Sequence, residues 1–347
     1  MPETLLTAGI DGGATRTRAV LVTGDGTVAG FGTAGPSNYD NVGEETAAEN
    51  IRLALDEARR GPASGTPLPR SIFLGLAGVV SHTDREIVRR MVARHHLAPP
   101  EGVGVDHDIR IALAGGLEGH EGIVLIAGTG SSTYGRRSDG RSHRTGWGYL
   151  LDDRGSGYAL GLQSIVASVM ESDGRGPATA LSRVVRARLR FTDIDDILHI
   201  MYRGGAPVAE IASLAPDVIA CATGGDGVAE SILNEGAREI ARMVWTVARR
   251  LEFSGTPFPL TMTGGLVEQG GHYRDLVEGE IRVLAPDVRI LPPALPPVMG
   301  AALLALEAAG IPPTPHLLER MRSQTSLLEA APAAAGGPAP HPGHRKS

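Results

Sequence analysis

The sequence predicts an α/β protein in which one unit, β-β-β-α-β-α-β-α, occurs twice, giving two lobes with a central cleft. Three observations support this fold class. A glycine-rich turn between two apolar runs lies at 10–17, and a partial copy of it lies at 123–132. Strand-like and helix-like segments follow both turns in the same order. The length of 347 residues suits about two domains with buried cores.

The first copy of the unit begins with an apolar run at 5–10, then the turn, then a second apolar run at 19–22. This pattern predicts two strands joined by a tight turn, and Gly24-Asp25-Gly26 predicts a second turn into a third strand. The periodicity of apolar residues further along predicts a helix at 44–60, a strand at 72–76, a helix at 84–95, a strand at 103–105 and a helix at 109–114.

The second copy is longer because helical insertions are expected at 171–220. Its other predicted elements are strands at 122–127, 133–136 and 141–145, a helix at 159–170, a helix at 227–250, strands at 260–263 and 288–291, and a closing helix at 297–309. These elements predict an N-terminal lobe at 1–110, joined by the closing helix (297–310), and a C-terminal lobe at 111–296. The Ala/Pro/Gly-rich composition of 312–347 predicts a disordered tail, with one short amphipathic piece at 317–328.

Both turns carry small residues and hydroxyl groups that suit a polyphosphate. Adjacent glycines let backbone N–H groups approach a ligand, and threonine or serine hydroxyls add donors. A single turn of this kind is usually an ordinary hairpin. Here, however, two hydroxyl residues and a later Asp-Gly turn of the first copy recur in the second copy, all separated by the same number of residues. Asp11 ends the first strand and is predicted to hold magnesium (Mg2+) through water. The residues predicted to bind the polyphosphate are Gly12, Gly13, Thr15, Thr17, Gly128, Thr129, Gly130 and Ser131.

Composition and charge narrow the classes of function. A formal net charge of -6 argues against nucleic acid as a partner, because nucleic-acid binding needs clustered Lys and Arg. The N-terminus has no basic segment followed by a long apolar one, and the apolar stretches are short, so no membrane partner is expected. The single cysteine, Cys221, forms no internal disulfide and suits a reducing cytoplasm.

Two polar residues have alternative interpretations from the residues alone. Asp108 is either the base that accepts a proton from an attacking hydroxyl group or the N-cap of the following helix. Asp106, two residues earlier on the same strand face, is a competing base. Asn38 lies in a Pro-Ser-Asn loop, where its side chain often closes a local turn.

Several motifs together resemble the BadF/BadG/BcrA/BcrD ATPase family, and within it the N-acetylglucosamine kinases. The resemblance covers roughly residues 5–310. It implies the actin-like (ribonuclease H-like) ATPase fold, ATP with Mg2+, a small-molecule sugar substrate, a homodimer and a hinge that closes on substrates. The motifs that carry it are Asp11-Gly12-Gly13-Ala14-Thr15, Gly128-Thr129-Gly130-Ser131, Gly146-Trp147-Gly148 with Asp153 and Gly155-Ser156, and Gly264-Gly265.

The resemblance also implies roles for individual residues. Asp108 would bind the sugar and accept the proton of its 6-hydroxyl, and Asn38 and Asp153 would bond sugar hydroxyls. Trp147, flanked by glycines, would stack on the apolar face of the sugar ring. Gly264-Gly265 resembles the adenosine-binding turn, where small residues let the nucleotide lie against the backbone.

The sequence departs from the family beside Asp153. Asp152 stands where glycine is usual and Arg154 where an acidic residue is common, and an extra carboxylate suits a sugar with a free amine. N-acetylglucosamine and glucosamine therefore both remain open as the acceptor. An ATPase that activates a radical enzyme needs two cysteines per subunit for its Fe–S cluster, whereas this chain has one. A sugar-sensing regulator is a third alternative, but the chain lacks a cysteine-rich zinc motif.

Overall fold

The computed structural model describes residues 5–60, 68–203, 207–253, 255–268 and 270–329. Its strands are β1 (Leu6–Gly12), β2 (Thr17–Thr23), β3 (Val28–Ala34), β4 (Ser71–Leu76), β5 (Val103–His107), β6 (Gly122–Ala127), β7 (Ser131–Arg136), β8 (Ser142–Thr145), β9 (Phe258–Thr263) and β10 (Val288–Leu291). Its helices are α1 (Tyr39–Val42), α2 (Glu44–Ala58), α3 (His82–Arg94), α4 (Asp108–Gly116), α5 (Gly157–Ser172), α6 (Leu181–Leu189), α7 (Asp196–Leu198), α8 (Val208–Ala212), α9 (Ala215–Thr223), α10 (Gly227–Arg250), α11 (His272–Leu284), α12 (Pro297–Ala308), α13 (Pro315–Ser323) and α14 (Ser326–Glu329). A 3-10 turn precedes β5, and a π-helix follows α7.

The chain divides into two compact units. Unit 1 comprises Met1–Gly119 and Ala294–Ser347, and unit 2 comprises His120–Pro293. The predicted boundary at 110/111 is wrong, because it cuts α4, whose apolar residues pack against β4 and α12 in unit 1. The closing helix α12 lies in unit 1, together with the N-terminal part of the chain.

Unit 1 is built on a sheet with the strand order β3-β2-β1-β4-β5. The first three strands pair antiparallel, whereas β1, β4 and β5 run parallel. Alternate residues of β2 face opposite sides of the sheet, so Leu21 packs with α2 while Val20 packs with α12. Helices therefore cover both faces, and the carboxyl ends of the three parallel strands lie at one edge.

Unit 2 repeats this plan with the strand order β10-β9-β6-β7-β8. Its first three strands pair antiparallel, and β6, β9 and β10 run parallel. The long helix α10 packs its apolar face into the core of the unit through residues such as Ile240, Val244 and Val247. The helical insertion predicted at 171–220 is present as α6 to α9, with the π-helix inside it.

The duplication is confirmed by the equivalent strand order and by the geometry of two hairpin turns. In the first turn, Asp25 Oδ1 accepts a hydrogen bond from the backbone N–H of Thr27. In the second, Asp139 Oδ1 accepts one from the backbone N–H of Arg141. The glycine after each aspartate has a positive φ, 88° in one turn and 91° in the other, which glycine adopts without steric cost.

The prediction of disorder for 312–347 is wrong for its first part. Helix α13 buries Leu317, Leu318 and Met321 against β2 and α12. The side chain of Gln324 accepts from Val28 N–H at 2.9 Å and donates to the carbonyl of Gly26 at 3.2 Å. The amphipathic pattern at 317–328 was the sequence signal for this packing, and residues 330–347 lie outside the described residues.

Within the described ranges, no single helix is long and apolar enough to cross a membrane. The segments Val208–Thr223 and Gly227–Arg250 have the required length and composition only when taken together, and they are bent by 119° at the break between them.

Candidate functional site

The carboxyl edge of the unit 1 sheet carries several predicted site residues. β1 ends in Asp11-Gly12, β4 leads into Ala77-Gly78, and β5 leads directly into Asp108. The loop after β3 joins this edge, because the backbone N–H groups of Ser37 and Asn38 both donate to the carbonyl of Gly13, at 3.1 and 3.3 Å. Unit 1 therefore brings Asp11, the glycine turn, Asn38 and Asp108 to one edge.

Asp11 is a partly buried carboxyl group beside a second acid. Burial raises its pKa to about 6, the Arg18 guanidinium opposes this shift, and the negative charge of Asp108 adds to it. Arg18 lies opposite Asp11 on β2, with Nη1 4.0 Å from Asp11 Oδ2. A carboxyl group with a raised pKa next to another carboxylate is a place where a cation would be stabilised.

Asp106 and Asp108 have different contacts in the structure. The N-cap of α4 is His107, whose Nδ1 accepts from the N–H of Arg110 at 3.0 Å, so Asp108 is the first helical residue and not the cap. Asp106 forms an ion pair with Arg85 at 2.6 Å and also accepts from the N–H of His107. Asp108 Oδ1 likewise accepts from the N–H of the next residue, Ile109, at 2.8 Å, and the charge of Asp108 contributes to the raised pKa of Asp11.

The turn after β1 is held by its own backbone and by the loop after β3. Gly13 N–H donates to the carbonyl of Arg16 at 2.9 Å and closes the turn. A Cβ on Gly12 would lie 2.2 Å from Ser37 Oγ, so only glycine allows the loop to pack there. Thr15 is exposed at the tip of the turn, as a phosphate donor must be.

Thr17 does not stand ready as a phosphate donor. Its side chain is fully buried, and its hydroxyl oxygen lies 2.7 Å from the Gly35 carbonyl and 2.8 Å from Ser37 Oγ. This corrects the predicted role: Thr17 fixes the loop that carries Asn38. The sequence did not distinguish the two threonines because both are small hydroxyl residues, and only the β2 pleat turns Thr17 inward.

Asn38 has the local role that its loop suggested. Its Oδ1 accepts from the N–H of Asp40 at 3.1 Å and caps the short helix α1. A Cβ on Gly78 would lie 2.9 Å from the same Oδ1, so the turn after β4 passes directly over Asn38. This cap orients the side-chain amide of Asn38 and is compatible with a second role in binding a ligand.

Unit 2 presents a comparable edge formed by β6, β9 and the start of α5. The turn after β6 is one residue shorter than its counterpart, with Gly128 N–H donating to the carbonyl of Gly130 at 2.9 Å. The carbonyl of Gly128 accepts from Gly157 N–H at 2.7 Å, which attaches the turn to α5. A Cβ on Gly264 (φ 102°) would lie 2.4 Å from the carbonyl oxygen of Ala127, so β9 leads into a turn that only glycine fits.

The two hydroxyl residues of this turn differ in the same way as those of unit 1. Thr129 is exposed. Ser131 is buried and donates to the carbonyl of Arg154 at 3.0 Å, so its predicted role as a phosphate donor is corrected to that of holding the following loop. The sequence showed that Thr17 and Ser131 occupy equivalent positions in the two turns. It did not show that both hydroxyl groups hold a neighbouring loop.

The loop between β8 and α5 carries Trp147 and Asp153. Trp147 is 64% exposed, and the Arg144 guanidinium lies 5.2 Å from its ring centroid, which covers one face of the indole. Asp153 Oδ1 accepts from Gly148 N–H at 3.1 Å. A Cβ on Gly130 would lie 2.6 Å from Asp153 Oδ2, so this carboxyl group contacts the turn after β6.

Asp153 has two features that are common at functional sites. Its φ of 53° lies in the left-handed region, which is strained for a residue other than glycine, although Asp tolerates it better than most. Burial raises the pKa of its carboxyl group, and the charge of Asp152 adds to the shift, while the N–H of Gly148 opposes it. An ionised Asp153 would therefore gain from a donor or a positive group on a ligand.

Unit 2 contains a cavity that was not predicted from the sequence. It has a volume of about 430 Å³ and is lined by Ala222, Thr223, Gly225, Asp226, Gly227, Glu230 and His272. His272 Nε2 lies 2.7 Å from Glu230 Oε2, and His272 begins α11 after the loop that starts at Gly264-Gly265. The Gly-Gly-Asp-Gly run before α10 was the available sequence signal.

Metal-ligating groups are sparse in the part of the chain that the structure describes, where no three His, Cys, Asp or Glu side chains cluster closely enough to form a metal site. A Mg2+ ion bound with a nucleotide needs only one or two carboxylates, since phosphates and water supply the other ligands. Asp11, with Asp108 nearby, fits that requirement. The structure thus shows where each predicted residue lies within its own unit. That the turns after β1 and β6 bind one ligand together remains a prediction.

Comparison with known proteins agrees with the fold. The BadF/BadG/BcrA/BcrD ATPase family matches residues 8–305. An N-acetylmuramic acid/N-acetylglucosamine kinase of Clostridium acetobutylicum is 33% identical over 298 residues, covering 86% of this chain and 97% of that protein. An N-acetyl-D-glucosamine kinase of Dictyostelium discoideum is 32% identical over 311 residues, with the same two coverages of 86% and 97%.

A solved structure from Chromobacterium violaceum, described as a candidate N-acetylglucosamine kinase, is also similar. It has a TM-score of 0.67 and 26% identity, and the match covers 88% of this chain and 100% of that one. With the two equivalent five-stranded sheets, this likeness confirms the predicted fold class, an α/β protein with two related lobes of the actin-like ATPase type.

Proposed function

Because the chain belongs to the BadF/BadG/BcrA/BcrD ATPase family, we propose that it is an ATP-dependent amino-sugar kinase that phosphorylates the 6-hydroxyl of N-acetylglucosamine. Two relatives that share about a third of its residues are named as kinases of N-acetylglucosamine. One observation in the structure carries the proposal furthest. Asp108 begins α4 at the carboxyl edge of the unit 1 sheet, its charge acts on Asp11, and the N-cap of α4 is His107.

The proposed chemistry is an in-line transfer in which Asp108 acts as base. The 6-hydroxyl of the sugar attacks the γ-phosphorus of ATP, the bond to the β-phosphate oxygen breaks, and the hydroxyl proton passes to the Asp108 carboxylate. ADP leaves with the bridging oxygen. Asp106 is less suited to this role because its carboxylate is held in an ion pair with Arg85 at 2.6 Å.

The residues proposed to hold the phosphates lie on the two glycine turns. Thr15 and Thr129 supply hydroxyl donors, and Gly12, Gly13, Gly128 and Gly130 allow the backbone to approach the ligand. Asp11 is the proposed holder of Mg2+. When bound, this ion would neutralise the negative charge that accumulates on the phosphates.

The sugar is proposed to contact three residues. Trp147 has one face covered by Arg144, so the other face is available to stack on the sugar ring. Asp153 and Asn38 would accept or donate hydrogen bonds to the ring hydroxyls. Both side chains are oriented by bonds to backbone N–H groups, of Gly148 and Asp40 respectively, which reduces the entropy lost on binding.

The cavity at the start of α10 is proposed to hold the base of ATP. Its volume of about 430 Å³ lies within the usual range for small-molecule sites. The loop that begins at Gly264-Gly265, the proposed adenosine turn, ends at His272 in the cavity wall. A homodimer remains a prediction from the family resemblance, and a cytoplasmic location remains a prediction from the single cysteine.

A coupled ADP-release assay with N-acetylglucosamine, glucosamine and glucose tests the function. We expect ADP release that depends on N-acetylglucosamine and on Mg2+, and phosphorus NMR of the product is expected to place the phosphate on the 6-oxygen. A protein that releases no ADP in response to any amino sugar is not the kinase proposed here.

One observation favours glucosamine as an alternative acceptor. Asp152 adds a carboxylate beside Asp153, close enough to raise its pKa, and a protonated amine on the sugar would relieve that repulsion. Asp152→Asn is then expected to lower kcat/KM for glucosamine several-fold while leaving N-acetylglucosamine unchanged. Asp195→Asn, in an exposed part of the insertion, is the matched control. Equal effects on both sugars would argue against this role of Asp152.

A further inference from the structure

The loop that joins Trp147 to Asp153 exposes an unusual amount of apolar surface. Leu150 is 80% exposed, Leu151 is 82% exposed, and Tyr149 between them and Trp147 is 43% exposed. Isolated apolar side chains are common on protein surfaces, but several in a row mark a site of interaction. Their function is not explained by the roles already assigned to Trp147 and Asp153.

The segment 149–151, called the apolar tip below, is held by ordered structure on both sides. Before it, Gly146 packs so closely on β7 that a Cβ there would lie 2.6 Å from the carbonyl of Ser131. After it, the carbonyl of Gly155 accepts from the Tyr273 hydroxyl at 2.7 Å. The tip is therefore fixed at both ends while its leucines stay in solvent.

The tip itself is a closed turn. The carbonyl of Gly148 accepts from Leu151 N–H at 3.1 Å and from Asp152 N–H at 2.8 Å. The ring of Tyr149 packs edge-on against that of Tyr158 on α5, with centroids 5.1 Å apart. A turn closed in this way presents its apolar side chains without the entropy loss that ordering a mobile loop would require.

We propose that Leu150 and Leu151 contact the acyl group on the nitrogen of the sugar, and that the site accepts acyl chains longer than acetyl. The inference rests on the proposed amino-sugar kinase function and on the continuity of the tip with Trp147 and Asp153, which lie on the same turn. An N-acyl chain is the apolar part of such a substrate, and it is matched by apolar side chains. The alternative occupant, a second protein chain, is an outcome of the test.

The experiment compares glucosamine with its N-acetyl, N-propanoyl and N-butanoyl derivatives. ADP release gives kcat/KM for each sugar, and calorimetric titration without ATP gives its affinity. For the wild type we expect affinity to be kept or to rise with acyl length, by up to about fourfold for each added methylene. Leu150→Ser and Leu151→Ser are expected to lose most of this gain while binding glucosamine as the wild type does.

Leu198→Ser is the matched control, because Leu198 is 57% exposed on α7 in the insertion. It should leave the acyl series unchanged. Equal losses for all four sugars in the loop variants would overturn the inference, and so would an unchanged series. If the loop variants instead convert an oligomer to a monomer in light scattering and keep the acyl series, the tip is a protein interface. Wild-type protein that binds the series but releases no ADP would refute the kinase function alone.

Discussion

Asp106 and Asp108 show how neighbouring carboxylates acquire different properties from their surroundings. Asp106 forms an ion pair with Arg85 at 2.6 Å, which ties its carboxylate to a side chain of α3. Asp108 is the first residue of α4, its Oδ1 accepts from the N–H of Ile109 at 2.8 Å, and its charge contributes to the raised pKa of Asp11. The sequence offered both residues as bases, and only the position of Arg85, on a helix far away in sequence, separates them.

Asp108→Asn is expected to reduce kcat by about 10³-fold, since a positioned base contributes 10²- to 10⁴-fold. The amide keeps the size of the side chain but cannot accept the proton, so sugar affinity measured by calorimetry should change little. Asp106→Asn is the control and should keep most of the activity while losing some stability. Normal turnover by the Asp108 variant would show that another group accepts the proton.

Asp11 is expected to make the metal-free protein less stable as pH rises. Its pKa is about 6 in the folded protein and near its usual 3.8 when unfolded, so between these values the folded state binds more protons. The stability it contributes is therefore fully present below about pH 4 and is lost as pH rises through 6. Asp11→Asn should melt at a higher temperature than the wild type at pH 7.5, with the difference shrinking towards pH 4.

The measurement is thermal unfolding in EDTA across this pH range. Asp25→Asn is a control of opposite sign, because a hydrogen bond from the Thr23 hydroxyl lowers the pKa of Asp25. An Asp11→Asn protein that is less stable at pH 7.5 would contradict the assignment. The same variant is expected to lose turnover, since it removes the carboxylate proposed to bind Mg2+. Functional residues commonly lower the stability of the folded protein in this way.

Thr17 and Ser131 show the limit of motif reasoning at the scale of residues. The sequence correctly identified two related turns, because repeated glycines and hydroxyls are visible in one dimension. It could not tell which hydroxyl of each pair faces solvent, since that depends on the pleat of β2 and β7 and on the carbonyls of Gly35 and Arg154. Those carbonyls belong to loops that are distant in sequence.

At the scale of elements, glycines decide how closely α12 approaches its neighbours. A Cβ on Gly300 would lie 2.1 Å from the carbonyl of Ile111 and 2.4 Å from the N of Gly115, so α12 and α4 cross in backbone contact. Gly300 is therefore a packing glycine. The apolar periodicity of the sequence indicated the amphipathic helix α13. The sequence did not indicate that this helix packs on the turn at Gly26.

Gly300→Ala is expected to destabilise the protein by about 1–3 kcal/mol, because the added methyl group overpacks the crossing. Gly279→Ala on α11 is the matched control, since a Cβ there meets nothing within 4 Å. It should stabilise the protein by about 0.5–1 kcal/mol, as expected when alanine replaces glycine within a helix. Guanidinium unfolding measures both, and similar effects of the two substitutions would refute this account of the crossing.

At the scale of the whole molecule, the two units differ in how the chain builds them. The buried core of unit 2 is formed by residues between Ile123 and Ala285, and Val288 and Ile290 of the same unit pack against it. Unit 1 needs α12, in which every residue from Val298 to Leu306 is buried, to cover one face of its sheet. The sequence predicted that α12 joins the N-terminal lobe, while the boundary after α4 depends on tertiary packing that periodicity does not reveal.

The fragment 120–293 is therefore expected to fold alone, whereas the fragment 1–119 is not. Without α12, the apolar side chains of Val20, Val22 and Ile111 would lose their packing partners and be exposed to water. The backbone of β1 at Gly9, against which the α12 backbone packs, would be exposed as well. Circular dichroism and guanidinium titration should show cooperative unfolding for 120–293 and none for 1–119. Adding residues 294–329 to 1–119 through a flexible linker should restore a cooperative transition, because it returns α12 and α13 to the sheet. Cooperative unfolding of 1–119 by itself would mean that α12 covers a unit already stable without it.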